Sequence, residues 1–468
     1  MLTDPVKKEL VRIVGKRNVT FERADLLCYS YDATNRMSLP EAVVFPADAD
    51  EISLILKMAN AERFPVVPRG AGSGFTGGSV PVEGGVALST ERMTRIIDID
   101  TSNLTAVVEP GVVTWDLQQE VEKLGLFYPP DPTSQRFSTI GGNIAENAGG
   151  PRAVKYGVTR DYVLGLELVL PTGEVITTGV RTAKGVVGYD LTRLIVGSEG
   201  TLGVVTRATL RLIPRPAEVR TMLALFPTVE AAAAAVAGVI ASKIVPSTLE
   251  FMDGVSIRCV EEYAKVGLPD VEALLLIELD GGPGAAEAQA AAVEKVCMDQ
   301  GAESVRVAAG KGEVKDLWKA RRALSASMFR VRPDKINEDV VVPRSEMPRL
   351  VAGVREIAAR RGVVIACFGH AGDGNIHVNV MYDGKDPVEA ASAAEAVTDV
   401  FDLTLKLGGT ISGEHGVGTS KAPYLGMEIP GPSVELMKRI KKAFDPAGVI
   451  NPGKIFLKET PAPAVAPD

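Results

Sequence analysis

The sequence predicts an α+β protein built from two or three packed units, and three observations lead there. With 468 residues, 46% of them hydrophobic, the chain is long for a single core. Short strand-like runs alternate with stretches at helical spacing from the N-terminus onward. After Pro214 and Pro216 the composition changes, and Ala-rich helical stretches begin to alternate with strands such as "EALLLIELD" and "GVVIACFGH".

Taken in order, "DPVKKELVRIVG" reads as a helix within an N-terminal segment, residues 1–40, that continues irregularly. "EAVVFP" is a short strand. "ADADEISLILKMANAERF" places Ile52, Ile55, Leu56 and Ala59 on one helical face behind an acidic start, and "PVVPRG" is a second strand. The run "PRGAGSGFTGG" follows this β-α-β unit and contains a literal G-x-G-x-x-G at Gly72, Gly74 and Gly77. It is not a nicotinamide-binding turn. That fingerprint needs a helix opening on its third glycine, and "SVPVEGGVALST" carries Pro81 and the Gly84-Gly85 pair instead, a turn into a strand.

"MTRIIDIDTSNLTAVVEPG" reads as two strands around an Asp-Thr-Ser-Asn turn. "VTWDLQQEVEKLG" reads as a helix with Thr114 as N-cap and Gly125 beyond its end. The stretch "YPPDPTSQRFSTIGGNIAENAGGPRAVKYG" shows little periodicity and is expected to be a functional loop. "LGLELVLPTGEVITTG" is a hairpin, and "DLTRLIVGSEGTLGVVTRATLRLIP" a short helix, a glycine turn and a strand pair. "AAAAAVAGVI" is too short for a membrane span and reads as a buried helix. The expected divisions are 41–216, 217–410, a C-terminal segment 411–457 whose turns lay it back on the first domain, and a Pro/Ala-rich tail, 458–468, expected to be disordered.

Composition excludes several function classes. A net charge of −8 argues against nucleic acid as a partner. The charged start "MLTDPVKKELVRIVGKR" is no secretory signal, and no apolar run is long enough to span a membrane. The four cysteines form no C-x-x-C pair, so neither an iron–sulfur ligand set nor a redox dithiol of the usual spacing is expected. A cytoplasmic protein is the simplest fit, with peripheral attachment at the inner face of the membrane as the alternative.

Two groups of residues carry chemistry. Three glycine clusters, Gly70 to Gly78, Gly141 to Gly150 and Gly197 to Gly203, can point successive backbone N–H groups at one ligand, the requirement of a diphosphate. The three histidines, His370, His377 and His415, all fall in "FGHAGDGNIHVNV" and "SGEHGVG". The Ala-Gly-Asp-Gly-Asn turn can bring His370 and His377 together, and His377 shares a strand face with Asn379. With Glu414 they make an open set of two imidazoles and a carboxylate that suits zinc, manganese or iron(II).

The motifs "VVPRGAGSGFTGG", "DPTSQRFSTIGGNIAENAGG", "KYGVTRDYVLGLELVLPTGEV", "VGSEGTLGVVTRATLRL", "FGHAGDGNIHVNV", "GGTISGEHGVG" and "FDPAGVINPGKIF" resemble, in order and over residues 40–456, the vanillyl-alcohol-oxidase/p-cresol-methylhydroxylase class of flavoproteins, and within it the D-2-hydroxyacid dehydrogenases. The resemblance implies a two-subdomain PCMH-type FAD-binding domain, an α+β substrate domain with an antiparallel sheet, and a C-terminus returning to the FAD domain. It implies that Pro68, Arg69, Gly70, Ala71, Gly72, Ser73, Gly74, Gly77 and Gly78 cradle the FAD diphosphate. Thr133, Ser134, Gly141, Gly142, Asn143, Ala145, Asn147 and Gly149 would line the flavin, Glu199, Gly200 and Val204 its far side, and Asn451 would reach it from the C-terminus. No histidine precedes His370, so non-covalent FAD is expected.

The same resemblance makes His370, His377 and Glu414 ligands of a divalent metal, zinc foremost, and His415 the catalytic base. The metal would polarise the hydroxyl of a D-2-hydroxy acid, His415 would take its proton, and hydride would pass to flavin N5. The residues alone leave open an exchange of roles between Glu414 and His415. Arg321, Ser325, Asn379 and Lys335 would bind substrate. Counting six residues before Pro343 reaches Asn337 rather than a lysine, and this departure favours D-lactate or glycolate over D-2-hydroxyglutarate. Electrons would leave to an electron-transfer flavoprotein, an iron–sulfur subunit or quinone, either from a free-standing dehydrogenase or from a flavin subunit of a larger complex. A homodimer is compatible with the sequence.

Overall fold

The computed structural model describes residues 1–34 and 36–457. The tail expected to be disordered lies outside the described residues. Four sheets organise the described residues.

The first is four-stranded, in the order Val19–Thr20, Ala42–Val44, Val86–Ser89, Val66–Arg69, its last three strands parallel. The helix Ala49–Glu62 makes the crossover, N-capped by Asp48, whose side chain accepts from the Glu51 N–H. Its Ile52, Ile55 and Leu56 share a core with Val6, Leu10 and Val14 of the helix Asp4–Val14, so the N-terminal segment packs directly on this sheet. The C-terminus returns as expected. Ile450 bridges Val66, and Val449 and Ile450 enter the same core.

The second sheet is five-stranded and antiparallel, in the order Ile96–Asp100, Thr105–Val108, Val204–Arg211, Val163–Val169, Val175–Gly179. Val204–Arg211 pairs with two other strands of this sheet, while Ile213–Pro214 pairs with Leu126–Phe127, so the expected strand pair is two successive strands in different sheets. Thr114 is not an N-cap. It is the first residue of the helix Thr114–Glu122, with Val113 as cap, and its buried hydroxyl bonds the Ser138 carbonyl and accepts from the Asn143 amide. The stretch read as loop holds the helix Ile140–Glu146, N-capped by Thr139 and closed by Asn147 at φ 55°.

The largest sheet has seven antiparallel strands, in the order Ser304–Val307, Glu218–Phe226, Ala273–Gly281, Thr248–Asp253, Val364–Gly369, Asn375–Tyr382, Asp334–Val341. Helices Val229–Ala241, Ala285–Asp299, Met347–Arg361 and Pro387–Lys406 cover one face and form the principal core. Helices Gly254–Ala264 and Lys311–Ser327 cover part of the other. Each fully buried Val, Leu or Phe in these cores contributes about 1.5–3 kcal/mol. Among the described residues, no helix is long and apolar enough to cross a membrane.

Candidate active site

Strand periodicity places the chemistry. Ile376, Val378 and Val380 lie in the principal core, as do Ile365 and Cys367, Leu249 and Phe251, and Val340. Side chains alternate across a strand. His377 and Asn379, Phe368, Glu250, Asn337 and Asp339 therefore all project from the opposite face. Asn337 pairs with Asn379, and Asp339 with His377. The helix Lys311–Ser327 seats Leu317, Ala320 and Leu324 on that face and brings Arg321 and Ser325, one helical turn apart, to the same place.

The three histidines meet there. The His370 and His377 rings are 5.2 Å apart, and His377 stacks on His415 at 5.3 Å and 15°. Phe75, from the glycine loop, stacks on His415 at 4.9 Å. The ligand atoms of His370, His377 and Glu414 all lie within 4.8 Å of one another. His370 Nδ1 is 2.6 Å from Glu250 Oε1, which leaves its Nε2 facing Glu414 Oε1 at 3.2 Å. A carboxylate behind a histidine is the arrangement that orients a metal ligand. The Nδ1 of His377 has no partner, although it is buried. These features fit a divalent cation.

The charges follow from burial and neighbours. Burial opposes a charged His370, but Glu250 and Glu414 together outweigh it and hold the ring well above its ordinary value. A metal would have to displace that proton. Burial, then His370 and His415, push His377 well below its ordinary value. Burial lowers His415 too, against the pull of Asp339 and Glu414, so the ring is neutral near pH 7. Burial would raise Glu414, but the surrounding histidines bring it down to about 2.

This cluster closes one end of a cleft enclosing about 1280 Å³, part of it open to solvent. Pro68 of the strand Val66–Arg69 and the loop that follows, through Gly70, Ala71, Gly72, Ser73, Gly74 and Gly78, form much of its wall. A side chain at Gly74 would stand in open space. Thr133, Ser134, Gly142, Asn143, Ala145, Glu199 and Gly200 complete the wall. Gly141 and Val204 line a smaller hollow that shares Gly70, Gly142, Ala145 and Gly200 with the cleft. The glycine-walled cleft fits the diphosphate of a dinucleotide.

Other predicted residues stand behind the wall. Arg69 lies over the Tyr29 ring, and the Gly77 N–H bonds Asp32 at 2.8 Å. Asn147 accepts from the Arg160 N–H at 2.9 Å, and a Cβ on Gly149 would meet Glu414 Oε2 at 2.8 Å. Asn451 spends its amide on the carbonyls of Gly78 and Glu199, tying two glycine clusters together. Asn379 donates to Ala366 and His377 carbonyls. Arg321 is buried beside the cleft. It is 3% exposed, pairs through Nε with Glu250, lies 5.0 Å from the Phe368 ring, and keeps a buried, unpartnered Nη2 at the cleft. Lys335 is outside the cleft lining, with Nζ on the Ser325 hydroxyl at 2.5 Å, while Asn337 lines the cleft with an unpaired Oδ1.

Sequence reasoning missed Glu250, Asp339, Phe75 and Glu146. The first two had a readable signal, an acid inside an apolar strand in "TLEFMD" and "NEDVVV". Glu146 lines the cleft with a buried, unpaired Oε2, and burial holds it well above the usual carboxylate range. A Cβ on Gly416, at φ 83°, would meet Glu146 at 2.7 Å and Glu199 at 3.0 Å, so only glycine fits that crossing.

Fold and site together define a flavin-linked oxidoreductase of two domains. Residues 40–179 match the family described as "FAD binding domain", and residues 215–455 match "FAD linked oxidases, C-terminal domain". The chain belongs to the FAD-linked oxidases. It is 48% identical, over the whole of both chains, to the glycolate oxidase subunit GlcD of Bacillus subtilis (strain 168). It is 36% identical to a D-lactate dehydrogenase of Anaerostipes hadrus, covering 90% of each chain. Its fold matches p-cresol methylhydroxylase with a TM-score of 0.80 at 20% identity, over 97% of this chain and 98% of that one.

Proposed function

We propose that the chain oxidises a short 2-hydroxy acid, D-lactate or glycolate, to the 2-oxo acid, using non-covalent FAD and a divalent metal. The observation that carries this reading is the convergence of a neutral base, an unpartnered arginine nitrogen and a three-ligand set at one end of a glycine-walled cleft. The names of the relatives, glycolate oxidase subunits and D-lactate dehydrogenases, support the substrate class.

Each residue then has a task. Arg321 is held by Glu250 on one edge and offers Nη2 to the substrate carboxylate. His370, His377 and Glu414 would hold the metal, which supplies a Lewis acid for the substrate hydroxyl when bound. His415, neutral and sandwiched between Phe75 and His377, takes the hydroxyl proton. The glycine loops would hold FAD, which supplies a two-electron acceptor when bound. Lys335 is engaged by Ser325, which supports a monocarboxylate. Electrons leave to a protein partner or quinone, in keeping with relatives named as subunits.

The test is anaerobic addition of glycolate, D-lactate or D-2-hydroxyglutarate to the yellow holoprotein, with and without prior chelation. The expected result is flavin bleaching by glycolate or D-lactate, abolished by chelator and restored by metal. A flavin bleached by no 2-hydroxy acid refutes the substrate class. Bleaching unaffected by full metal removal refutes the metal's part.

A further inference from the structure

We propose that Asp339 is the positioning residue of this site, fixing the Glu414 arm and the His415 ring through a single carboxylate; the inference rests on the reading of His415 as base. Glu414 and His415 are neighbours in the chain and have different tasks, so the backbone between them must hold a definite turn. Asp339, fully buried on the strand Asp334–Val341, supplies it. Its Oδ2 accepts from three consecutive N–H groups, those of Gly413 at 2.9 Å, Glu414 at 2.6 Å and His415 at 3.0 Å. No strand or helix directs three successive N–H groups at one atom; this is a nest folded around an anion.

The other oxygen completes the device. Oδ1 receives Lys421 Nζ and stands 3.3 Å from His415 Nδ1. Nδ1 has no aligned hydrogen bond there, and catalytic hydrogen bonds are often long or misaligned before substrate binds. Lys421 is 1% exposed and also donates to the Ile411 carbonyl at 2.8 Å and the Ser412 hydroxyl at 3.1 Å. Ser412 in turn donates to the Gly416 carbonyl at 2.7 Å. The turn is thus held from beneath by a buried ion pair. A carboxylate facing Nδ1 favours the tautomer with its proton on that nitrogen and leaves Nε2 as the proton acceptor. Asp339 is not among the residues that line the cleft, whereas Glu414 and His415 are, so it acts through those two.

The test compares wild type, Asp339→Asn and the double variant Asp339→Asn/Lys421→Met, all as flavin-loaded protein. The double variant removes the cation that the single substitution would strand. Two readouts are taken: the rate of flavin reduction per bound flavin with its KM, and the imidazole 15N–1H resonances. The chain has three histidines, so His415 is assignable with one His415→Gln sample. The expected result is an Nδ1–H tautomer at His415 in wild type, lost in the variants, with a reduction rate about 10²-fold lower or more and KM changed less than about threefold. A double variant within about threefold of the wild-type rate overturns the proposal, as does an Nε2–H tautomer in wild type. If no 2-hydroxy acid reduces the wild-type flavin, the functional reading fails, and the wild-type tautomer still decides the positioning.

Discussion

Glu250 joins two residues whose roles looked independent. One oxygen meets His370 Nδ1 and the other Arg321 Nε, and all three side chains are buried. Taking one partner from a buried charge network leaves the others uncompensated, at about 3–5 kcal/mol. Losing the carboxylate behind a metal-ligating histidine costs about 10- to 100-fold in metal affinity. Glu250→Gln is therefore expected to lower the melting temperature and, on the proposed metal reading, to lose on dialysis metal that wild type would keep, as measured by metal content per protein. Full metal retention in the variant would show that Glu250 does not orient a ligand. His370, His377, Glu414 and His415 were legible as a set because the chain spends all its histidines on two glycine-rich motifs. Glu250 was not, because its partners come from two other elements, and only the sheet face shows that they meet.

At the scale of elements, the helix Gly254–Ala264 starts at Asp253, whose carboxyl accepts from Ser256 N–H at 2.8 Å and Cys367 N–H at 2.6 Å. Burial nevertheless pushes Asp253 up to about 6, from an ordinary 3.8. Between those values the folded state binds the extra proton, so stability falls as pH rises through about 4 to 6 and then levels. The total is about 3 kcal/mol. Asp253→Asn mimics the protonated carboxyl and is expected to flatten this dependence. Denaturant melts at pH 4.5 and pH 7.5 check it, and an unchanged slope in the variant would assign the effect elsewhere. Long elements with clean periodicity, such as Ala49–Glu62 and Val163–Val169, were legible. The helix Ile140–Glu146 was hidden because it is short and carries two glycines, and because its stop is an asparagine in the left-handed region rather than a glycine.

At the scale of the whole molecule, the cleft exists only while two units stay together. Lys155 and Tyr156 of the helix Ala153–Tyr156 bond Asp280 on the seven-stranded sheet, Tyr156 through its hydroxyl at 2.7 Å. Glu199 accepts from the Val417 N–H at 2.8 Å and the Gly418 N–H at 2.6 Å, and so ties a glycine turn of the first unit to the segment that carries His415. Asp280→Asn is expected to loosen this contact by about 1–3 kcal/mol. Limited proteolysis should then cut faster near residues 214–217 while both cores persist. Equal cleavage rates would place the contact energy in the other ties.

The sequence alone determined the α+β class, the non-Rossmann path of the glycine loop, the return of the C-terminus and the histidine–glutamate set, since each is written in local spacing, turn chemistry or composition. Tertiary structure alone decided that Arg321 is buried with one free nitrogen, that Lys335 turns to Ser325 while Asn337 faces the cleft, and that Asp339 gathers three N–H groups beneath His415. The physical reason is the same in each case. Which partner a buried charge finds depends on which strand faces meet across the sheet, and no local pattern in the chain records that meeting.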